Sequence, residues 1–409
     1  MKTRARIRVW LVAWLSLIAS CNGNVFAQSK YDVGANDQEV KIGNILAYSG
    51  PVSSLGVIGR VEAAYFNKLN DEGGINGRKV NFISYDDAYS PPKTVEQARK
   101  LVESDEVLML FNPVGTATNA AIQKYMNSKK VPQLFVGGGA TRWNNPTEFP
   151  WTMGFQPNYQ AEGRVYARYI LKEKPEGKIA VLYQNDDLGK DYLKGLKDGL
   201  GAKSSMIIME ESYEVSEPTI DSHVVKMKAS GADVLISIAL PKVAAQSIRK
   251  VSELGWKPLF ILSSIGASIG TVIRPAGFEN AQGIISTVYL KDPSDPQWAD
   301  DEAKRRFDAF IAKYAPNVDK NDYFVVYAYV ISQTMAKVLE QCGNNLTRAN
   351  VMQQASNLKD LKPEMLLPGV TINTSPSDFA PMEDMRMVRL KGERWEIFGD
   401  VMSSADPGN

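Results

Sequence analysis

Short apolar runs alternate with amphipathic segments along the chain from residue 40 onward. In the first part of the chain the apolar runs predict strands at residues 40–46, 79–85, 107–111 and 133–136. The segments between them predict helices at residues 54–71, 92–104 and 116–129. Most of the runs are continuous rather than alternating, which is typical of strands covered on both faces. The order of the elements therefore predicts a parallel sheet flanked by helices.

The same alternation restarts after residue 150. Extended segments are predicted at residues 151–155, 178–183, 206–210, 234–239, 259–262 and 283–290. Helices are predicted at residues 159–172, 220–230, 243–254, 299–314 and 323–342, and a further helix follows Asp186-Asp187-Leu188-Gly189 and runs to about residue 200. Two α/β sheets of similar size predict two lobes with a cleft between them, and such sheets bind ligands beyond the carboxyl ends of their strands.

The N-terminal residues have the pattern of a secretory signal peptide. Basic residues precede an apolar run at residues 9–19 that is too short to span a bilayer, and Val25-Phe26-Ala27 offers a cleavage site. We therefore expect residues 1–27 to be removed and the mature chain to be exported. An uncleaved membrane anchor is one alternative. The other is a lipoprotein, because Ile18-Ala19-Ser20-Cys21 resembles a lipobox that would leave a lipidated Cys21.

Length and composition limit the classes of function. The chain has 409 residues, enough for about two domains, and its 44% hydrophobic and 23% charged residues are typical of a folded protein. A net charge of +1 argues against a nucleic-acid partner. One His and two Cys leave little material for a metal site or a disulfide framework. We therefore expect no metal, no cofactor and no nucleic-acid binding.

One motif suggests an enzyme. The sequence Gly266-Ala267-Ser268-Ile269-Gly270 matches G-x-S-x-G and follows a predicted strand, as a nucleophile elbow does. An α/β-hydrolase needs a His after the Ser, whereas the single His of this chain, His223, precedes it. We therefore expect no catalytic residues and no enzymatic activity. A hydrolase that uses Ser268 is the least favoured alternative for the function.

Two acidic pairs and a glycine run lie at predicted strand ends. We expect Asp86-Asp87 and Asp186-Asp187 to cap helices or make hinge contacts rather than to act as acids and bases. Gly137-Gly138-Gly139 lacks the pattern of a dinucleotide-binding or phosphate-binding loop. The run indicates either a close approach of the backbone to another group or a plain turn after the strand.

Several motifs occur in an order that resembles one family. Ser49-Gly50-Pro51 and Gly56 precede a helix that ends in residues 70–77, and Asp86-Asp87-Ala88 and Gly115-Thr116 follow. Over nearly the whole mature chain this order resembles the periplasmic solute-binding proteins of the leucine/isoleucine/valine-binding type, which serve ABC importers. The resemblance implies the two-lobed type I periplasmic-binding-protein fold. In that fold each lobe is an open, mostly parallel α/β sheet, and three hinge crossovers join the lobes.

The resemblance also implies the extent of the lobes and a ligand site between them. Lobe 1 is expected at residues 28–156 and 287–369, and lobe 2 at residues 157–286 and 370–409. The family's carboxylate-binding turn falls on Gly115 and Thr116. The other implied site residues are Gly138, Gly139, Ala140, Leu55, Leu188 and Ser264.

One departure from the family bears on the ligand. Amino-acid binders of the family hold the ligand's ammonium with an acidic side chain after the strand at residues 259–262, where this chain has Ser263-Ser264. The departure favours a carboxylate ligand without an α-amino group, although Asp186 or Asp187 from another loop would rescue amino-acid binding. Apolar residues near the strand ends are expected to pack a hydrocarbon or aromatic body: Leu55, Phe111, Phe135 and Leu188.

These observations together predict a monomeric periplasmic binding protein. It is expected to capture a small hydrophobic or aromatic carboxylate and to deliver it to the membrane permease of an ABC importer. One alternative is a branched-chain or other amino acid as the ligand of the same type of transporter. Another alternative is a sensory ligand-binding protein built on the same fold.

Overall fold

The computed structural model describes residues 30–403. The predicted signal peptide, its cleavage site and Cys21 lie outside the described residues. The strands are β1 (Lys30–Tyr31), β2 (Glu39–Leu46), β3 (Lys79–Asp86), β4 (Met109–Phe111), β5 (Gln133–Val136), β6 (Thr152–Gly154), β7 (Ile179–Gln184), β8 (Ile207–Tyr213), β9 (Val234–Ile238), β10 (Leu259–Leu262), β11 (Ile285–Val288), β12 (Asn345–Leu346), β13 (Asp384–Lys391) and β14 (Arg394–Ser403). The α-helices are α1 (Val57–Asp71), α2 (Pro91–Glu103), α3 (Thr116–Lys129), α4 (Tyr159–Glu173), α5 (Asp187–Leu200), α6 (Asp221–Ala229), α7 (Pro241–Glu253), α8 (Arg274–Ala276), α9 (Glu302–Tyr314), α10 (Tyr323–Cys342) and α11 (Arg348–Ala355).

The first sheet contains five parallel strands in the order β3-β2-β4-β5-β6. Every residue of β4 and β5 is buried, because helices cover both faces of these central strands. Helices α9 and α10 pack against α1, although both follow strands β7 to β11 of the second sheet in the chain. The short strands β1 and β12 pair in parallel and tie the start of the described chain to the end of α10.

The second sheet contains seven strands in the order β14-β13-β11-β10-β9-β7-β8. Strands β7 to β11 are mutually parallel, whereas β13 runs antiparallel to β11 and β14 runs antiparallel to β13. The hairpin β13–β14 therefore closes one edge of an otherwise parallel sheet. Helices α4 and α5 pack closely against each other beside this sheet.

The described chain passes between the two sheets three times. It leaves the first sheet between β6 and α4, returns between β11 and α9, and leaves again between α11 and β13. This arrangement confirms the predicted α/β architecture with mostly parallel sheets and crossovers. The boundaries predicted for the lobes stay a prediction, and β11, which ends at Val288, belongs to the seven-stranded sheet.

The helix pattern of the longest apolar segment is also confirmed. Helix α10 has the predicted bounds, and most of its residues are buried in the hydrophobic core. None of the helices within residues 30–403 is both long and apolar enough to cross a membrane. The sequence did not predict β1, β12, α8, α11 or the hairpin β13–β14.

Candidate functional site

A cavity lies where the carboxyl ends of strands from both sheets meet, and we call it the cleft cavity. About 530 Å³ of space there is not filled by protein atoms, open solvent included. The five-stranded sheet and its helices contribute Leu55, Ile58, Tyr89, Val114, Gly115, Thr116, Gly137, Tyr323, Phe324 and Tyr327. The first crossing and the seven-stranded sheet contribute Gln156, Tyr159, Leu188, Leu240, Ser264, Ile265 and Tyr289. Open α/β sheets bind ligands at this position.

The walls of the cleft cavity are uncharged. No Asp, Glu, Lys, Arg or His occurs among the residues that line it in the described chain. Leucine, isoleucine, valine and phenylalanine side chains form an apolar surface, and tyrosine, threonine, serine and glutamine add a few polar groups. This lining suits a ligand with an apolar body and a polar head. A charge on the ligand would have to be balanced by N–H and hydroxyl groups.

The start of α3 presents backbone N–H groups to the cleft cavity. Gly115 is the N-cap, with φ of 113° and ψ of 142°, and Thr116 is the first helical residue. The first N–H groups of a helix lack partners within the helix and carry partial positive charge. A Cβ atom on Gly115 would lie 2.5 Å from Thr118 Oγ1 and 2.6 Å from Tyr89 Cε2. Both the backbone conformation and the available space therefore require glycine, and the helix start is suited to a carboxylate.

Three buried hydroxyl groups on the cavity wall make no hydrogen bond of normal length and angle to another described residue. They belong to Tyr89, Thr116 and Tyr323. Burial raises the pKa of Tyr89 and of Tyr323. Burial also raises the pKa of Tyr159, and this effect is larger than the opposite effects of Gly139 and of the neighbouring Thr116 hydroxyl. These phenols therefore stay neutral near pH 7 and can donate hydrogen bonds to an anion.

Five of the eight predicted site residues line the cleft cavity: Leu55, Gly115, Thr116, Leu188 and Ser264. Leu55 lies in a short turn before α1, Leu188 lies in the first turn of α5, and Ser264 follows β10. Parallel strands bring these distant segments together because their carboxyl ends share one edge of each sheet. The role of these residues in binding stays a prediction.

The other three predicted site residues line a smaller adjoining space of about 230 Å³: Gly138, Gly139 and Ala140. The Tyr159 N–H donates a hydrogen bond to the Gly139 carbonyl oxygen at 2.8 Å. A Cβ atom on Gly139 would lie 2.1 Å from the Pro157 carbonyl oxygen. These three residues line the adjoining space rather than the cleft cavity itself, and their role in binding stays a prediction. The close approach indicated by the glycines is made to the first crossing between the sheets.

Two of the four apolar residues expected around the ligand lie in the core instead. Phe111 and Phe135 are both 0% exposed. Their rings pack edge-to-face with Phe66 and Phe155, at centroid distances of 5.7 and 5.5 Å respectively. They are buried because β4 and β5 are interior strands of the five-stranded sheet.

Glu162 is a buried acid next to the cleft cavity that the sequence did not single out. This residue of α4 is 1% exposed. Its carboxylate accepts hydrogen bonds from the Ser264 N–H at 2.7 Å, the Ser264 hydroxyl at 2.9 Å and the Tyr192 hydroxyl at 2.7 Å. It also accepts one from the Tyr166 hydroxyl. An acid therefore does reach the end of β10, although it comes from a helix. The available signal was an acid on the otherwise buried face of α4.

Asp186 of the second acidic pair caps a helix, as expected, and Asp187 makes an ion pair with a distant segment. Asp186 is the N-cap of α5 and accepts hydrogen bonds from the N–H groups of Leu188 at 2.9 Å and Gly189 at 3.4 Å. Asp187 forms an ion pair with Arg142 at 2.8 Å. Neither aspartate lines the cleft cavity. The alternative that one of them balances a ligand ammonium stays a prediction.

The hydrolase motif has a structural role. Ser268 is 0% exposed. Its hydroxyl accepts a hydrogen bond from the Thr271 N–H at 3.2 Å and donates one to Asp322 Oδ1 at 3.1 Å. His223 contacts Glu211 at 2.7 Å and Glu217 at 3.0 Å instead of a serine. Within residues 30–403, no group of three or more His, Cys, Asp or Glu side chains is placed to hold a metal ion.

Comparisons with known proteins agree with this architecture. A family model described as periplasmic binding protein matches residues 39–394. A Leu/Ile/Val-binding protein homolog 7 from Brucella suis is 23% identical over 269 residues, which are 62% of this chain and only 65% of that relative. A Leu/Ile/Val-binding protein homolog 1 from the same organism is 23% identical over 311 residues, which cover 75% of this chain and 80% of that relative.

Two solved structures show the same fold at low sequence identity. A branched-chain amino acid ABC transporter protein from Thermus thermophilus with bound valine has a TM-score of 0.79 at 16% identity, covering 91% of this chain and 98% of its own. A fatty acid ABC transporter substrate-binding protein from Thermomonospora curvata has a TM-score of 0.76 at 18% identity, covering 92% of this chain and 95% of its own.

Proposed function

The chain belongs to the periplasmic binding protein family, and from this premise we propose that it captures a small hydrophobic or aromatic carboxylate in the cleft cavity for an ABC importer. In this proposal the protein acts outside the cytoplasm as a monomer and delivers its ligand to the membrane permease. The names of the relatives support a ligand-binding role, since they are Leu/Ile/Val-binding protein homologues. The fold neighbours include binders of an amino acid and of a fatty acid.

The observation that carries the choice of ligand is the uncharged wall of the cleft cavity. A carboxylate placed at the start of α3 would meet the N–H groups of the first helical turn and the Thr116 hydroxyl, which makes no hydrogen bond of normal geometry within the described residues. The hydroxyls of Tyr89 and Tyr323 add two neutral donors. The aliphatic side chains Leu55 and Leu188 would then pack against the body of the ligand.

An α-ammonium group has no comparable partner on this wall. Burying that charge without a carboxylate would cost several kcal/mol, roughly 2–5 by analogy with broken buried ion pairs. A micromolar ligand has only about 8 kcal/mol of binding free energy. The loss would therefore remove most of the affinity for leucine, isoleucine or valine.

A second candidate is an amino-acid ligand, and the contact between Glu162 and Ser264 favours it. Ser264 lines the cleft cavity, and the Glu162 carboxylate lies directly behind it. A ligand ammonium that displaced the Ser264 hydroxyl would gain an acidic partner. Against this candidate, four hydrogen bonds from Tyr166, Tyr192 and Ser264 already satisfy the Glu162 carboxylate.

A thermal-shift experiment with three ligands tests the proposal. Purified protein is heated with phenylacetate, with the neutral isostere 2-phenylacetamide, or with leucine. Ligand at about 100 times its dissociation constant adds roughly 2.7 kcal/mol of stability, which gives a readable rise in Tm. We expect a rise with phenylacetate and none with the other two ligands. A rise with leucine alone would replace the proposed ligand by an amino acid, and equal rises with the acid and the amide would contradict recognition of a carboxylate.

A further inference from the structure

A second cavity lies on the far side of Tyr323 from the cleft cavity. About 460 Å³ of space there is not filled by protein atoms, open solvent included. Its walls come from the antiparallel edge of the seven-stranded sheet, the return crossing and the start of α10. Tyr323 lines both cavities and packs edge-to-face with Tyr289 at a centroid distance of 5.8 Å. We call it the tryptophan cavity, after Trp298 and Trp395 in its wall.

The tryptophan cavity has aromatic and aliphatic walls. The indole N–H of Trp395 donates a hydrogen bond to the Ala267 carbonyl oxygen at 2.7 Å, which fixes the orientation of that ring. Trp298 packs under the ammonium of Lys291, whose Nζ lies 5.1 Å from the ring centroid. Isoleucine, valine and leucine side chains complete the apolar part of the wall. Indole faces attract cations because of their negative quadrupole.

One carboxylate oxygen in this wall has no partner. Oδ1 of Asp292 accepts hydrogen bonds from the Ser294 N–H at 2.8 Å and from the Ser294 hydroxyl at 2.7 Å. Oδ2 of Asp292 is buried and makes no hydrogen bond to any residue within 30–403. Burial raises the pKa of Asp292, and the negative charge of Asp295 raises it further. A buried carboxylate oxygen without a donor is unfavourable. A bound cation would give Oδ2 a partner and would favour the charged form of the carboxyl group.

The neighbouring cations already have acidic partners. Lys291 Nζ forms an ion pair with Asp301 at 2.7 Å, and Arg394 lies 3.4 Å from Asp295. Asp295 also accepts hydrogen bonds from the Gln297 N–H and the Gln297 side chain, at 3.0 and 2.6 Å. Asp292 is therefore the acidic group of this wall that still lacks a charge partner in the described chain.

We propose that the tryptophan cavity is a second ligand site, which binds a small organic amine in its protonated form. The ammonium donates a hydrogen bond to Asp292 Oδ2, and the apolar body packs between the indole rings of Trp298 and Trp395. The two cavities suit ligands of opposite charge. The tryptophan cavity has acidic wall residues, whereas the cleft cavity has none and presents hydrogen-bond donors to an anion. The inference goes beyond the proposed transport of a carboxylate and does not depend on it.

Calorimetric titration with matched probes tests the proposal. The first probe is 2-phenylethylamine, which is protonated at pH 7.5, and the second is 2-phenylethanol, in which a hydroxyl replaces the ammonium. With the unaltered protein we expect the amine to bind at least tenfold more tightly than the alcohol, because charge-assisted hydrogen bonds are the stronger ones. Equal affinities, tighter binding of the alcohol, or no heat of binding with the amine would overturn the proposal.

Two variants locate the amine. Asp292→Asn should weaken binding of 2-phenylethylamine at least tenfold and leave that of 2-phenylethanol unchanged. The control is Asp300→Asn, which removes the same charge from an exposed residue that does not line the cavity. Unchanged amine binding in Asp292→Asn would overturn the assignment. If that variant fails to fold, the comparison of the two probes on the unaltered protein still tests whether the cavity prefers the amine to the alcohol.

A separate titration distinguishes the two proposals from each other. Phenylacetate binding should be the same in Asp292→Asn as in the unaltered protein, because the acid is assigned to the cleft cavity. Loss of amine binding with retained acid binding supports the second site. If phenylacetate does not bind at all, the proposed carboxylate ligand is wrong, while the amine titrations still report on the tryptophan cavity.

Discussion

The Glu162 carboxylate accepts hydrogen bonds from both the backbone N–H of Ser264, at 2.7 Å, and its side-chain hydroxyl, at 2.9 Å. This contact joins the first turn of α4 to the segment that follows β10, two parts of the chain that are 102 residues apart in sequence. Because Ser264 lines the cleft cavity, the buried carboxylate fixes the position of one wall of the site.

The substitution Glu162→Gln should destabilise the fold. The carboxylate accepts four hydrogen bonds, and an amide would turn an NH₂ group toward one or more of the donors Tyr166, Tyr192 and Ser264. A buried group left without its partner costs about 1–3 kcal/mol. Urea unfolding followed by circular dichroism measures this loss.

Glu173→Gln is the matched control for this substitution, because Glu173 ends the same helix and is exposed. We expect its unfolding midpoint to equal that of the unaltered protein. Equal midpoints for Glu162→Gln and Glu173→Gln would contradict the structural role of the buried carboxylate. Weaker leucine binding in Glu162→Gln, with phenylacetate binding unchanged, would favour the amino-acid alternative.

The elements of the core could be predicted from sequence because local patterns determine them. Helix α3 begins at Thr116, as expected, since Gly115 takes the N-cap position with positive φ and the following residues favour a helix. Strands β5 and β10 have the expected bounds because each is a short apolar run between loops. The strand β13 was missed, although its alternation of apolar and charged residues is typical of a half-exposed strand.

The contacts of the site were harder to predict because they depend on distant segments. Five predicted residues line the cleft cavity, since the carboxyl ends of parallel strands meet there. Gly138, Gly139 and Ala140 line the adjoining space instead, because the crossing near Pro157 lies against them, and no local pattern reports that contact. Glu162 was missed for the same reason, since its partner Ser264 is far away in sequence.

Replacing Gly115 by alanine should impair both the fold and the binding site. The residue has φ of +113°, and a Cβ would lie 2.5 Å from Thr118 Oγ1. The strained conformation alone costs about 1–3 kcal/mol, and the contact adds to that loss. Movement of Thr118 or Tyr89 would also disturb the start of α3. We expect a lower Tm and at least tenfold weaker binding of phenylacetate, measured by calorimetry.

Gly73→Ala separates the effect of backbone strain from the effect of the close contact made by the Cβ atom. Gly73 also has positive φ, of +104°, but no atom lies within 4 Å of its would-be Cβ. This control should lose stability from backbone strain and keep its affinity for phenylacetate. If Gly115→Ala and Gly73→Ala both retain full affinity, the close packing at Gly115 does not matter for binding.

Asp322 should make the stability of the protein depend on pH. Burial raises its pKa from 3.8 to about 6, although the Phe324 N–H and the Ser268 hydroxyl both donate to it. The folded state therefore holds the proton more tightly than the unfolded state, so this residue destabilises the fold increasingly as the pH rises from about 4 to 6. A shift of about two pKa units corresponds to roughly 3 kcal/mol.

Asp322→Asn tests that dependence because asparagine keeps the accepting Oδ1 and is a good N-cap. The variant should gain stability relative to the unaltered protein as the pH rises from 4 to 7, by up to roughly 3 kcal/mol. Urea unfolding at several pH values measures the difference. A constant difference between pH 4 and 7 would show that the carboxyl does not titrate in this range.

Thr116→Val should weaken ligand binding without weakening the fold. The Oγ1 atom of Thr116 is buried and makes no hydrogen bond of normal geometry within the described residues, so its removal breaks no such bond. Valine has nearly the same shape, and losing an unpartnered polar atom should leave the free energy of unfolding unchanged or slightly higher. A carboxylate at the start of α3 would lose one donor, which we expect to weaken phenylacetate binding about tenfold, or about 1.4 kcal/mol.

The matched control is Thr118→Val, two residues further into α3. The Thr118 hydroxyl donates a hydrogen bond to the Val114 carbonyl oxygen at 3.1 Å, and the residue does not line the cleft cavity. Its replacement should therefore lower the free energy of unfolding by about 1 kcal/mol and affect binding less than Thr116→Val does. Calorimetry measures the affinity of each variant for phenylacetate, and urea unfolding measures the free energy of unfolding of each variant. If the two variants lose the same affinity, the effect of Thr116→Val reflects a disturbed helix start, and the hydroxyl of Thr116 does not contact the ligand.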